Sequence, residues 1–218
     1  MRSVPLAIVH AEACLVVVDK PAGLLAVPGR GPDRQDSVTE RIRTGFPEAR
    51  GPLTVHRLDM DTSGLMLVAL TPQAQRRLSM AFEARRVDKR YVALLDGDVV
   101  GDAGELRLAT RLDPENRPLQ VVDPVRGRLG HTRWQRLGVE VGPEGRSACR
   151  IRFEPLTGRT HQLRLHAAHP AGLGRPILGD RLYGDPGSAP RLMLHATRLA
   201  FEHPEHGKRM ELTSPCPF

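Results

Sequence analysis

Apolar and polar positions repeat with two different periods along this chain, and each change of period marks an element. Residues 13–19 (Ala-Cys-Leu-Val-Val-Val-Asp) form a short β-branched run closed by Lys20-Pro21, the pattern of a buried strand. Gly and Pro then crowd the stretch from Pro21 to Pro32, which predicts a loop. Ser37 and Glu40 have capping-box spacing, and Val38 with Ile42 begins a helical stripe that stops before Pro47. Residues 64–70 predict a second strand. Thr71-Pro72 opens a helix, with Thr71 as N-cap and Pro72 in the first turn. Its apolar face carries Ala74, Leu78, Ala81 and Phe82, and Arg76, Arg77, Arg85 and Arg86 fall on polar positions, where a solvated face is the ordinary outcome.

Further on, residues 89–95 predict a strand running into a Gly/Asp loop near Gly97 to Gly104, and 113–130 hold few periodic apolar positions and predict irregular chain. Segments 131–137 and 148–153 alternate, the second placing Cys149, Ile151 and Phe153 on one face and Arg150 and Arg152 on the other. Gly142 to Gly145 between them is a hairpin signal. Thr157 to Thr160 leads into a helix that ends at His169-Pro170. Strands and isolated helices without βαβα alternation predict an α+β fold with a largely antiparallel or mixed sheet. No repeat or low-complexity tail interrupts the chain.

At 218 residues and 40% hydrophobic, the chain suits one compact domain or two closely packed halves with a real core. Its net charge of +7 draws polyanions, because each neutralised phosphate releases counterions. Of 32 basic residues only Lys20, Lys89 and Lys208 are lysine. Arginine grips phosphate bidentately, although the many Gly and Pro codons point to base composition as part of the excess. Aromatics at 4% are too few for a single-strand reader built on stacked bases. Cys14, Cys149 and Cys216 are distant and odd in number, so reduced thiols in a cytoplasmic protein are expected rather than a disulfide framework. No run has membrane-spanning length, and the opening Met1 to Pro5 has no signal-peptide core.

Reactive side chains concentrate in His56-Arg57-Leu58-Asp59-Met60-Asp61-Thr62-Ser63-Gly64. Read from the residues alone, Asp59 and Asp61 fit a Mg²⁺ pair, a glycosidase-like pair or a capped turn, and turn-capping is the commonest fate of loop carboxylates. A second group, Gly158 to His166, brings His161, Arg164 and Leu165 to one side of a helix. The spacing of His161, His166 and His169 is not the i, i+4 pairing of a helical zinc site, so no metal is expected. Phosphate-loop, dinucleotide and nucleophile-elbow motifs are missing. The residues alone reach a basic α+β protein that acts on RNA, and no further.

His56-Arg57-Leu58-Asp59 followed by Thr62-Ser63-Gly64 resembles the signature of the RluA family of RNA pseudouridine synthases. Lys20 to Leu24, Lys89-Arg90-Tyr91, Gly158 to Arg164, Ile177 to Asp180 with Tyr183-Gly184, and Leu194-His195-Ala196 carry the resemblance along nearly the whole chain. Residues 20–30 are most similar to the short RluA branch, which implies a single catalytic domain over 1–218 without an N-terminal RNA-binding domain. The resemblance implies the pseudouridine synthase fold, a bent, mostly antiparallel mixed sheet with a central catalytic cleft. It also implies isomerisation of uridine in a large-subunit ribosomal RNA stem-loop, a tRNA anticodon stem-loop, or both.

By the same match Asp59 is the catalytic aspartate, Tyr91 the active-site tyrosine and Arg164 the arginine that pairs with the aspartate. Arg57 fills the place of the extruded base, with His56 and Leu163 also on the RNA and base-flipping side. Extruding a base costs a few kcal/mol, which a long cation in the vacated stack partly offsets. The isomerisation conserves bonds and changes no redox state, so no cofactor and no metal is implied, and the partner is structured RNA met by a monomer. Asp61 stands where the family has a small residue, and the expectation is that it points outward and takes no part in catalysis. A metal-dependent nuclease using Asp59 and Asp61, and an idle RNA-binding protein, are the competing readings.

Overall fold

In a computed structural model the structure describes residues 5–218; Met1 to Val4, which belong to the segment read as lacking a signal core, lie outside them. The strands are β1 Ala7–Ala11, β2 Leu15–Lys20, β3 Ser63–Ala69, β4 Asp88–Asp96 and β5 Ala103–Leu112, then β6 Gln120–Val122, β7 Arg128–Val141, β8 Ser147–Pro155, β9 Leu194–Glu202 and β10 Arg209–Thr213. Three α-helices accompany them: α1 Val38–Gly45, α2 Pro72–Glu83 and α3 Gln162–Ala168. This is the α+β class that the periodicity predicts. No helix among the described residues is long and apolar enough to cross a membrane.

The chain divides into two compact units. The first comprises residues up to Lys89 together with Ala196–Pro217. Its strand order is β1-β2-β3-β9, with β10 also on β9, and the β1–β2, β2–β3 and β9–β10 pairs are antiparallel. β3 is buried along its whole length, as a strand covered on both faces must be. Leu15, Val17, Leu65, Leu67 and Phe201 pack with Ala74, Leu78 and Ala81 of α2 into one core. Both helices begin as their sequences predict. The Ser37 hydroxyl accepts from Glu40 N, and the Thr71 hydroxyl accepts from Ala74 N at 3.2 Å.

The second unit spans Arg90–His195, with strand order β4-β8-β7-β5-β6 and every pair antiparallel. Cys149, Ile151 and Phe153 of β8 are buried and lie opposite Leu95, Ala93 and Tyr91 of β4, which fixes Tyr91 on the inward face. Two expectations need correction. β7 extends well beyond 131–137 at both ends, and β6 lies inside the 113–130 stretch that the pattern marks as irregular. β6 has no apolar alternation of its own; it is a strand because Thr110–Leu112 supply its backbone partners. β1, β9, β10 and most of β5 lie in segments that the periodicity leaves unassigned, and β5 begins within the loop expected near Gly97 to Gly104. None of the three cysteines is in a disulfide; Cys14 and Cys149 are buried and Cys216 partly so.

Candidate active site

Asp59 sits on the irregular segment between the Thr54–Val68 bridge and the start of β3, in a turn closed by Thr62 N donating to the Asp59 carbonyl at 3.2 Å. The turn is held from beneath by Lys20. That side chain is fully buried, and its ammonium donates to the carbonyls of Pro21 (2.9 Å), Leu24 (2.7 Å) and Met60 (2.8 Å). Gly23 N also donates to the Met60 carbonyl at 2.9 Å. A buried ammonium needs all three of its protons accepted, so carbonyls from two loops converge on it, and the residue beside Asp59 is one of them. Gly64, the second residue of β3, has φ 110°, and a Cβ there would fall 2.4 Å from the Ala196 carbonyl oxygen. Only glycine lets these backbones approach so closely.

Asp59 and Asp61 are both partly exposed, Arg57 is exposed and Leu58 is buried. His56 is engaged in the fold: its Nε2 accepts from Leu67 N at 2.9 Å, and its ring stacks on Phe82 with centroids 4.5 Å apart. Burial first, and then the charge of Lys89, push its pKa down to about 3, so the ring is neutral.

In the second unit Tyr91 is 9% exposed and Leu163 is buried on α3. Arg164, only 2% exposed, forks onto Asp180, which is fully buried: Nε donates to Oδ2 at 2.8 Å and Nη2 to Oδ1 at 2.5 Å. The Tyr183 ring lies 5.5 Å from the guanidinium carbon. The start of α3 is fixed by Gln162, whose amide nitrogen donates to the His131 carbonyl and Thr132 hydroxyl. Its amide oxygen accepts from Arg159 N and the Thr157 hydroxyl. His161, the N-cap, takes a left-handed conformation at φ 53°, which a non-glycine residue holds only when its surroundings impose it.

The Gly158–Arg164 motif therefore combines a structural amide with a buried cation. Lys20, Gln162, Asp180 and Tyr183 escape the sequence reading as individual residues. Each lies in a segment quoted for the resemblance, but nothing in its local pattern says which atoms it will meet.

The only metal-ligating cluster of three or more side chains among the described residues is Glu12, His203 and His206, none of which the sequence singles out. His203 Nδ1 accepts from Glu205 N and His206 N, and His206 Nδ1 accepts from Lys208 N. Those bonds place the ring protons on Nε2 and oppose ligation there. A groove of about 590 Å³ lined by Trp134, Leu106, Val99 and Leu173 takes in none of the expected site residues.

With this geometry in view, the chain was compared with known proteins. Residues 14–169 match the family model for RNA pseudouridylate synthase. The chain belongs to that family. It is 39% identical over 214 residues to the dual-specificity RNA pseudouridine synthase RluA of Yersinia pestis, covering 97% of this chain and 99% of that protein. Identity to the RluA of Escherichia coli K12 is 41% over 216 residues, covering 98% and 94%. Among solved structures, human RNA pseudouridylate synthase domain containing 1 superposes with a TM-score of 0.80 at 30% identity, covering 98% of this chain and 84% of that one. Human RNA pseudouridylate synthase domain containing 4 gives 0.73 at 25%, covering 97% and 88%. This pseudouridine synthase is thus an RNA-modifying isomerase with the pseudouridine synthase fold.

Proposed function

We propose that this synthase converts uridine to pseudouridine in a large-subunit ribosomal RNA stem-loop, a tRNA anticodon stem-loop, or both, with Asp59 as the reacting carboxylate. The observation that carries the reading is the Asp59 turn itself, a partly exposed carboxylate on backbone pinned by a buried ammonium. Such a group is fixed in direction and still open to a substrate, which turn-capping alone does not require. The near-full-length likeness to dual-specificity RluA proteins supports the choice of RNA.

The reaction breaks the bond between uracil N1 and ribose C1′. The freed base turns in the pocket, C5 bonds to C1′, the C5 proton leaves and N1 takes up a proton. Bonds and electrons balance without an oxidant or reductant, so the chemistry calls for no cofactor and no metal. Arg164 pairs with Asp59 and directs it, and Tyr91 packs on the uracil or takes part in the C5 proton transfer. Arg57 occupies the stack that the base vacates, with Leu163 as apolar packing. His56, stacked on Phe82, orients the Asp59 segment rather than touching RNA. Asp61 takes no chemical part. The protein works as a monomer in the cytoplasm.

The test uses RNA tritiated at C5 of uridine. The synthase releases tritium, is insensitive to EDTA and leaves the strand intact. Asp59→Asn should lower the rate by about a thousand-fold or more, on the order of 4 kcal/mol in the barrier. Strand shortening that EDTA abolishes would favour a nuclease. Binding without release from any cellular RNA by the folded protein would sink the proposal. Mapping pseudouridines in a deletion strain then names the target.

A further inference from the structure

No role follows for Asp180 from the sequence, yet it is the most completely engaged carboxylate of the second unit. Both members of the Arg164–Asp180 pair are at most 2% exposed. Asp180 Oδ1 accepts from Arg164 Nη2 and also from Leu182 N at 2.9 Å and Tyr183 N at 3.2 Å, while Oδ2 accepts from Arg164 Nε. Tyr183, placed by that turn, lies against the guanidinium. Its hydroxyl accepts from Gln120 N and stands 2.8 Å from His161 Nδ1. One side chain thus grips Arg164 in its plane and, through the turn it caps, sets the ring that packs on the same group. The hold is bidentate and charge-assisted, the kind that fixes direction as well as distance.

We infer that Asp180 is a positioning residue for the isomerisation, acting through Arg164. This rests on the proposed role of Arg164 toward Asp59. A guanidinium has five N–H groups in a rigid fork. Asp180 takes two, on the Nε and Nη2 edge, so the plane and direction of the guanidinium are fixed. Asp180 also balances the charge of Arg164.

The experiment compares Asp180→Asn and Asp180→Glu with wild type in single-turnover tritium release, alongside RNA affinity and thermal melting. Asparagine keeps an oxygen for the Leu182 and Tyr183 amides but loses the charge. The rate constant at saturating RNA should fall at least about tenfold while Kd changes by less than about threefold. Asp180→Glu should recover part of the rate. Adding Asp180→Asn to Arg164→Lys should cost nothing further, because the two act as one unit.

If Asp180→Asn melts below the assay temperature, Asp180→Glu alone decides. A rate at least about threefold below wild type with unchanged Kd supports the inference, and a wild-type rate overturns it. Losses that multiply with those of Arg164→Lys would also overturn it in favour of a purely structural ion pair. Wild-type turnover in Arg164→Lys alone would overturn it by way of Arg164, together with the role proposed for that residue.

Discussion

The Asp59 turn and the start of α3 are ordered by opposite means. Around Asp59 the fixing is done by main chain: carbonyls of Pro21, Leu24 and Met60 gather on the Lys20 ammonium, and Gly64 presses against the backbone at Ala196. At α3 it is done by side chains, through the Gln162 amide, the Asp180 carboxylate and the Tyr183 ring. The first arrangement fixes its turn through the backbone but depends on a single cation. The second spreads the load over several groups and buries its cation, so the pair must be kept satisfied.

Changes that strike each device should separate the two regions. The largest effect on stability is expected from Lys20→Met, which takes a donor from three carbonyls, that of Met60 keeping Gly23 N. A loss of about 4 kcal/mol, read by urea unfolding, is the expected outcome, and turnover below the melting point should fall only a few-fold. A loss under about 1 kcal/mol would show that the carbonyls find other donors.

Acid should single out α3. His166 is fully buried, and neither ring nitrogen has a partner among the described residues. Burial, with the nearby His131 adding to it, lowers its pKa from 6.5 to about 4. The unfolded state then binds more protons between those values. The stability of this neutral imidazole is therefore complete above pH 6.5 and is lost as pH falls toward 4. The loss is about 3 kcal/mol across that window. Unfolding measured at pH 7.5 and 4.5 should show it, and His166→Leu should flatten the slope. An unchanged slope would transfer the effect to other groups.

Gln162→Ala should cost about 2 kcal/mol, because the backbone groups of His131 and Arg159 lose a buried partner. In melting experiments the same substitution should leave the Asp59 turn untouched. The smallest effect is expected from Asp61→Ala. Its tritium release should stay within about threefold of wild type, less than 1 kcal/mol in the barrier. A loss comparable to that of Asp59→Asn would end the distinction between the two carboxylates.

Much of the fold was legible because its causes are local. The caps at Ser37 and Thr71, the alternation of Cys149, Ile151 and Phe153, and the helix end before Pro170 are short-range devices, and all are realised. β6 was not legible, because its partner lies on β5 and its own residues carry no pattern. The candidate site divides in the same way. The motif from His56 to Gly64 marks Asp59 as the residue to test, and the family match assigns the reaction. Neither reveals that His56 stacks on Phe82, nor that Lys20 and Asp180 are the hidden supports.

By itself the sequence determined the α+β class, the helix starts, the basic surface and the family, since these follow from periodicity, capping chemistry and linear motifs. Only the tertiary structure decided which atoms meet. Lys20 and Met60 are 40 residues apart, and Arg164 and Asp180 are 16 apart. Their bonds are made because burial removes water and leaves each charge only the partners that folding brings within reach.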